Sequence, residues 1–275
     1  TLLADNWYTK KVSSFDSSRV TQSFVDNIAQ TYGLSSNVYR YKVLGDFPES
    51  IADTVIPKEL IDSALGRDVD KTHGAERIWG VDPGRGGDPT GFCVRADNVI
   101  EDLTEWHDAD LMRIVGRIKE RWDRCSDKDR PTAIYVDSIG LGAGVADRLR
   151  ELDLPCVDVN VSESPSMKDR YTRLRAELWY AVRGWLEQRS VCLPRGLPHV
   201  EKLMTELSEP EALFTSSGKA DVESKSVMKQ RGVKSPNLAD ALCLTFAGGG
   251  AIGVGRGKGR NSWNKPLKWI APSIY

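Results

Sequence analysis

Ile78-Trp79-Gly80-Val81-Asp82-Pro83-Gly84 is an apolar run that ends in a carboxylate and then turns. It reads as a buried strand over 77–82. A strand end is an expensive place for a bare acid, because an unpaired buried charge is costly. Two more segments repeat the pattern. Ala133-Ile134-Tyr135-Val136-Asp137-Ser138 is a β-branched strand closing on Asp137. Ser235-Pro236-Asn237-Leu238-Ala239-Asp240-Ala241-Leu242 opens an apolar helix with Asp240 in its first turn.

Each acid has an ordinary explanation when taken alone. Asp, Pro and Gly are turn formers, and an acid in the first turn complements the helix macrodipole. Together the three imply a common point. Converging carboxylates repel one another unless a cation lies between them, and hard divalent cations take oxygen ligands. The expected arrangement is two ions about 3.5–4 Å apart, bridged by Asp82 and flanked by Asp137 and Asp240, for in-line hydrolysis of a phosphodiester. Asp88, across the Gly84–Gly87 turn, is a candidate accessory ligand. Such chemistry needs no histidine or cysteine nucleophile.

Outward from these segments, the pattern is a meander followed by alternation. Strands are expected at 77–82, 90–95 and 99–106, with Asp97-Asn98 as a turn, then at 132–136, 156–159 and 191–193. Helices are expected at 109–124, 144–152, 168–188, 199–208 and 236–246, and a hairpin at 211–215 with 219–223. That order predicts an α/β fold with a mixed central sheet. Upstream, 21–32 and 57–65 carry helical periodicity, with Gly33 and Gly66 as stops. Gly140, Gly142 and Gly144 follow neither the GxGxxG nor the GxxxxGK[ST] spacing, so close packing is their expected role.

The chain has 275 residues, 40% of them hydrophobic, and a net charge of −1. That is enough apolar content for one large domain with flanking pieces. No apolar run approaches the roughly 20 residues of a membrane span. The five cysteines are scattered and the three histidines lack ligand spacing; buried free thiols are expected, and zinc is not. The near-neutral charge predicts weak DNA binding, but charge is unevenly distributed. Acids dominate around the aspartates, and basic residues dominate after residue 166 and again after 251. Lys225, Lys229 and Arg231, just before Asp240, are candidate contacts to phosphates. Lys168, Arg170, Arg173 and Arg175 on the long helix are expected to be solvated. Thr1 is not an initiator Met and no signal-type segment follows it, so an excised fragment or processed product is expected.

The segments 80–84, 136–147, 224–225 and 231–241 resemble the nuclease domain of the large terminase subunit of tailed bacteriophages. Ser235-Pro236-Asn237 before Ala239-Asp240-Ala241 is the most specific part, and the likeness spans roughly 75–247. Leu44-Gly45-Asp46-Phe47-Pro48 is similar to the passage from that family's motor domain into the nuclease. The resemblance implies an RNase H-like sheet with helices on both faces. It implies a Mg²⁺- or Mn²⁺-dependent endonuclease with two ions that cuts concatemeric viral DNA during packaging. Asp82, Asp137 and Asp240 match the metal triad, and Asp147 matches a recurrent acidic position on the helix surface. The partners implied are double-stranded DNA, the portal protein and the small terminase subunit, with no membrane, in the host cytoplasm. The expected division is 1–74 as linker and remnant of an upstream ATPase domain, 75–247 as nuclease and 248–275 as a Gly-rich basic tail. The family's phosphate-binding loop is missing here, so cutting without ATP hydrolysis is expected. Two other readings stand beside this one. A sugar-kinase or actin-like ATPase also has a strand followed by an acid and a glycine, and a non-catalytic docking module would use the aspartates for a structural ion.

Overall fold

A computed structural model describes residues 10–34, 37–46, 54–84, 87–108 and 110–248. The helices are α1 (Gln22–Tyr32), α2 (Asn37–Tyr39, running into a π turn at Arg40–Leu44), α3 (Lys58–Ala64), α4 (Leu111–Arg124), α5 (Gly142–Glu151), α6 (Leu174–Glu187), α7 (Val200–Ser208), α8 (Lys225–Gln230) and α9 (Asn237–Leu244). Five strands form one mixed sheet: β1 (Arg77–Asp82), β2 (Thr90–Ala96), β3 (Val99–Trp106), β4 (Ala133–Asp137) and β5 (Cys156–Val159), in the order β3-β2-β1-β4-β5. The first three pair antiparallel as the expected meander, while β1–β4 and β4–β5 are parallel. A small hairpin, β6 (Ala212–Phe214) with β7 (Ala220–Val222), stands apart from the sheet.

Alternation along the strands divides the core in two, because successive side chains point to opposite faces. Trp79, Val81, Phe92, Val94, Ile134 and Val136 meet Ile114, Val115 and Ile118 of α4 and Val145, Ala146 and Leu149 of α5. Helix α4 forms where it does because Asp110 caps it, accepting from Met112 N, and its apolar residues recur at helical spacing. On the other face, Cys93, Ile100 and Leu103 pack with α6, α7 and α9 through Trp179, Val182, Leu203, Leu207, Leu238 and Leu242.

This second core continues across the boundary expected near residue 75. Val25, Ile28, Val38, Val43, Val55, Ile56, Ile61 and Ala64 belong to it. Backbone bonds from Val55 N to Pro210 O and from Gly66 N to Leu193 O stitch the upstream segment to the rest. Of the tail expected at 248–275, and of the Leu44–Pro48 passage, only Gly248 and 44–46 lie within the described residues.

Two expected elements are corrected. The long helix begins at Leu174 rather than Lys168. Tyr171 instead bridges Ala220, and Leu174 N and Arg175 N donate to the carbonyls of Glu163 and Val161, so those amides are already committed to neighbouring loops. The strand expected at 191–193 is only a pair of isolated bridges, Cys192 to Val99 and Leu193 to Leu65. All five cysteines are free, and all but Cys125 are buried. Among the described residues, no helix is long and apolar enough to cross a membrane.

Candidate active site

The parity that builds the core also places the acids. Gly80 and Asp82 face away from Trp79 and Val81, toward α9, and Asp137 follows Val136 in the same sense. Val81 pairs with Val136 in parallel register, so Asp82 and Asp137 leave neighbouring strands side by side at their C-terminal ends. Helix α9 supplies the third acid by lying on the strand backbones with almost nothing between. A Cβ at Gly80 would collide with the carbonyl oxygen of Ala241, and one at Gly91 with that of Asn237. Only glycine allows this approach, which brings the first turn of α9, and Asp240 in it, over the end of β1.

A lysine lies between two of the acids. Ser224 caps α8 by accepting from Val227 N, which makes Lys225 its first residue. The Lys225 ammonium is 3.0 Å from Asp82 Oδ2 and 2.9 Å from Asp240 Oδ2. Asp82 is 6% exposed and Asp240 9%, so the pair would be strained without that charge. Their titrations split accordingly. Burial pushes Asp82 up; Lys225 opposes this, while repulsion from Asp240 and Asp137 adds to it. Burial would also raise Asp240, but Lys225 and Arg175 outweigh it and hold the carboxyl low. For Lys225, burial pulls the amine down, and Asp240 and Asp82 more than reverse that. Asp137 is half-buried and accepts from Ile139 N at 3.0 Å. Burial raises its carboxyl; the Ile139 amide and Lys225 oppose this and Asp240 reinforces it.

Asp240 is held from behind. Trp179 Nε1 donates to its Oδ1 at 2.9 Å, and Arg175 Nε lies 3.5 Å from the same oxygen. Arg175 also donates to the Glu223 carbonyl at 2.7 Å, and its guanidinium sits over the Trp179 ring. Arg175 is buried, contrary to the solvated role expected for it. The sequence carried a signal: Arg175 stands three and four residues before Leu178 and Trp179 on an apolar helix face. Arg173 is likewise committed, with Nε and Nη2 donating to the two oxygens of Asp221.

Other candidates land elsewhere. Lys225, expected as a phosphate contact, lies within the carboxylates. Arg231 donates to both oxygens of Glu223, at 2.8 and 2.6 Å, and to the Glu209 carbonyl. Glu223 is buried and needs that partner, so Arg231 clamps it in place. Lys229 is exposed on α8. Asp88 is exposed on the β1–β2 turn, where it accepts from Ser235 Oγ at 3.3 Å. Asp147 pairs with Arg150 on the α5 surface. Gly142 packs against the Asp137 carbonyl, as the close-packing role requires.

Glu206 of α7 escaped the sequence reading. It is 4% exposed, and its Oε2 accepts from Leu238 N at 2.8 Å and Ala239 N at 3.0 Å. Burial pushes its carboxyl up to about 7 against those amides and Lys202. Its signal was an acid beside Leu203 and Leu207 on the buried side of α7.

Among the described residues, no three His, Cys, Asp or Glu side chains stand close enough to hold a metal as they are. The donor chemistry nevertheless suits a hard cation. Two buried carboxylates already share one ammonium, and a third leaves the adjacent strand beside them.

The architecture is that of large terminase nuclease domains. A mutant nuclease domain of the large terminase subunit gp2 of bacterial virus Sf6, solved with manganese and beta-thujaplicinol, aligns with 70% of this chain and 98% of its own. The identity is 22% and the TM-score 0.58. The large terminase nuclease of thermophilic phage G20c, solved with magnesium, aligns with 72% of this chain and 98% of its own, at 17% identity and a TM-score of 0.52. The same nuclease with cobalt gives 16% identity and a TM-score of 0.51 over 72% of this chain and 98% of its own. No protein-family model matches the sequence, and no curated protein matches it. The likeness establishes the fold, an α/β architecture with helices on both faces of a mixed sheet, as expected from the sequence.

Proposed function

We propose that this chain is a divalent-metal-dependent endonuclease for double-stranded DNA. Its substrate would be concatemeric viral DNA, cut during genome packaging in the host cytoplasm, with the portal protein and small terminase subunit as partners. One observation carries the reading. Asp82, Asp137 and Asp240 come from three elements to one face and one end of the sheet, and two of them already share a cation. The fold supports it, and the metals named for the Sf6 and G20c nucleases accord with hard oxygen donors.

Asp82, Asp137 and Asp240 would hold two Mg²⁺ or Mn²⁺ ions. Such ions supply activation of water and stabilisation of the leaving oxygen when bound. The protein's own contribution is arrangement. Strands β1 and β4 fix two carboxylates by their register. Trp179 and Arg175 orient the third, keeping Asp240 ionised and turned toward Asp82. Lys225 neutralises the pair before metal arrives and brings a positive charge to the phosphate. Lys229 is the exposed cation assigned to the DNA backbone. Asp88, with one oxygen engaged by Ser235, would be an accessory ligand through the other.

The test is plasmid nicking and linearisation with Mg²⁺, with Mn²⁺ and with chelator, for the parent and Asp82→Ala. Cutting that requires metal and falls at least about 10²-fold in the variant is expected, the scale of losing one preorganised electrostatic contact. Equal cutting by the variant, or cutting in chelator, would remove the proposal. A folded, metal-binding chain that never cuts would favour the docking module instead.

A further inference from the structure

We infer that Glu206 is a positioning residue for Asp240, acting as the N-terminal cap of α9 from a neighbouring helix. The inference rests on the nuclease reading only for its activity readout. The need for such a cap is local. Helix α9 has eight residues, too few to hold its own first turn against fraying. Its capping position is Pro236, which makes no side-chain capping bond, so the first amides depend on another source. Glu206 supplies it, with one oxygen accepting from both Leu238 N and Ala239 N. These are the two amides immediately before Asp240, so the carboxylate fixes the rotation of the turn that aims it.

The surroundings are built for this contact. Lys202 Nζ lies 3.8 Å from the other oxygen of Glu206 and also pairs with Glu105, which in turn faces His199 Nδ1 at 3.7 Å. The far end of α9 is clamped with the opposite sign. Buried Arg95 donates to Thr245 Oγ1 and Thr245 O, each at 2.8 Å, and stacks over Phe246 with its guanidinium 4.0 Å from the ring centre. An anion at the N-terminus and a cation at the C-terminus both match the helix dipole. Between them the helix rests on Gly80 and Gly91, so rotation or sliding of α9 meets backbone on one side and a charged clamp at each end. Trp179 reports the outcome, because its indole N–H ends on Asp240.

The experiment compares the parent, Glu206→Ala and Glu206→Gln. Plasmid cleavage is measured at saturating Mn²⁺ as kcat and as KM for DNA. The indole ¹⁵N–¹H resonance of Trp179, assigned through Trp179→Phe, is recorded without metal. Glutamine keeps an acceptor oxygen for the two amides, whereas alanine leaves none. The expected result for alanine is a 10- to 100-fold loss in kcat, the scale found when an outer partner of a metal ligand is removed. Its KM should stay within about twofold of the parent, with a displaced Trp179 resonance. Glutamine should restore most of both. The inference is overturned if alanine leaves kcat and the resonance unchanged, or if kcat falls while the resonance stays in place. If alanine does not fold, a Glu206→Gln protein with parental melting, a shifted resonance and alanine-scale loss would overturn it too. Should the parent prove unable to cut DNA, the resonance still reads the position of Asp240 and decides the matter separately from the nuclease proposal.

Discussion

The two faces of the sheet are made from the same strands by opposite means. On the α4–α5 face, Trp79, Val81, Phe92 and Val94 interdigitate with Ile114, Ile118 and Leu149. On the α9 face, their neighbours are Gly80, Asp82, Gly91, Cys93 and Arg95. There a helix lies on bare backbone, and Asp240, Arg175, Glu206, Glu223 and Arg95 are buried with it. The first face is held by apolar area and tolerates repacking. The second has its own apolar core and adds close backbone contact and buried paired charges, which are exacting and costly to leave incomplete. The candidate site sits on the second, so small errors in that face should cost function before they cost the fold.

The sharpest way to break this contrast is to add one methyl group on the α9 face. Gly80→Ala places a Cβ against the Ala241 carbonyl and must lift α9. A displacement near 1 Å at reacting groups costs about 10²-fold in rate. Cleavage by the folded protein should therefore fall by that order, with stability lowered by about 1–3 kcal/mol. The matched change on the other face is Ile118→Ala. It should cost more stability, about 2–5 kcal/mol, while cleavage per folded molecule stays within twofold. Denaturant melts beside single-turnover cleavage separate the two. If both variants lose rate in proportion to stability, the faces do not differ as described.

A smaller effect tests where charge is structural. Arg231→Ala strips the bidentate partner from buried Glu223. Because the arginine is partly exposed, the loss is discounted below the full cost of breaking a buried pair, to about 1–3 kcal/mol. KM for DNA should not move. A raised KM at unchanged stability would return Arg231 to the DNA surface.

The α9 face also predicts a pH dependence near neutrality. Burial raises the Glu206 carboxyl from its ordinary 4.5 to about 7. The folded state therefore holds this proton more tightly than the unfolded chain does. That contribution to stability is fully present below about pH 4.5 and is lost as pH rises through about 7. The shift amounts to roughly 3 kcal/mol of lost stability across that window. Melting of the metal-free parent and of Glu206→Gln from pH 4.5 to 8 checks it. The difference between them should shrink as pH falls, and the glutamine variant should gain on the parent as pH rises. Parallel curves would show that Glu206 does not titrate there.

The same division explains what could be read from the sequence. The meander, the alternation of helix and strand, and the ends of β1 and β4 were legible because period-two apolar patterns and turn residues are local signals. Asp82 and Asp137 were legible because an acid ending an apolar run is anomalous wherever it occurs; Asp240, in the first turn of a helix, stood out chiefly through the Ser235-Pro236-Asn237 motif before it. What escaped depends on which residues meet across the chain. Lys225 and Arg231 are six positions apart on one basic stretch, yet one faces Asp82 and Asp240 while the other clamps Glu223. Only where the chain places α8, beside Asp82 and Asp240 at one end and Glu223 at the other, decides this. The start of α6 moved because Tyr171 is claimed by Ala220, nearly fifty residues away in the chain. Arg175 and Glu206 were visible only as charges on apolar helix faces, a pattern that tells of a partner without naming it.

Lys229 offers the mildest perturbation and the cleanest separation of binding from architecture. It is exposed on α8, one turn beyond Lys225, and its side chain supports no part of either core. Lys229→Ala should leave melting within about 0.5 kcal/mol of the parent, as for a surface change. If the side chain neutralises a DNA phosphate, affinity should weaken alike for all sequences, and the slope of log K against log salt should become shallower by about one. Arg231→Ala should leave that slope unchanged while lowering stability. Filter binding or anisotropy across a salt series compares the two directly. A shallower slope for Arg231→Ala with none for Lys229→Ala would reverse the assignment and place the DNA path over the β6–β7 side of the site. The expected pattern instead places it over the exposed side of α8, with Lys225 at its inner end.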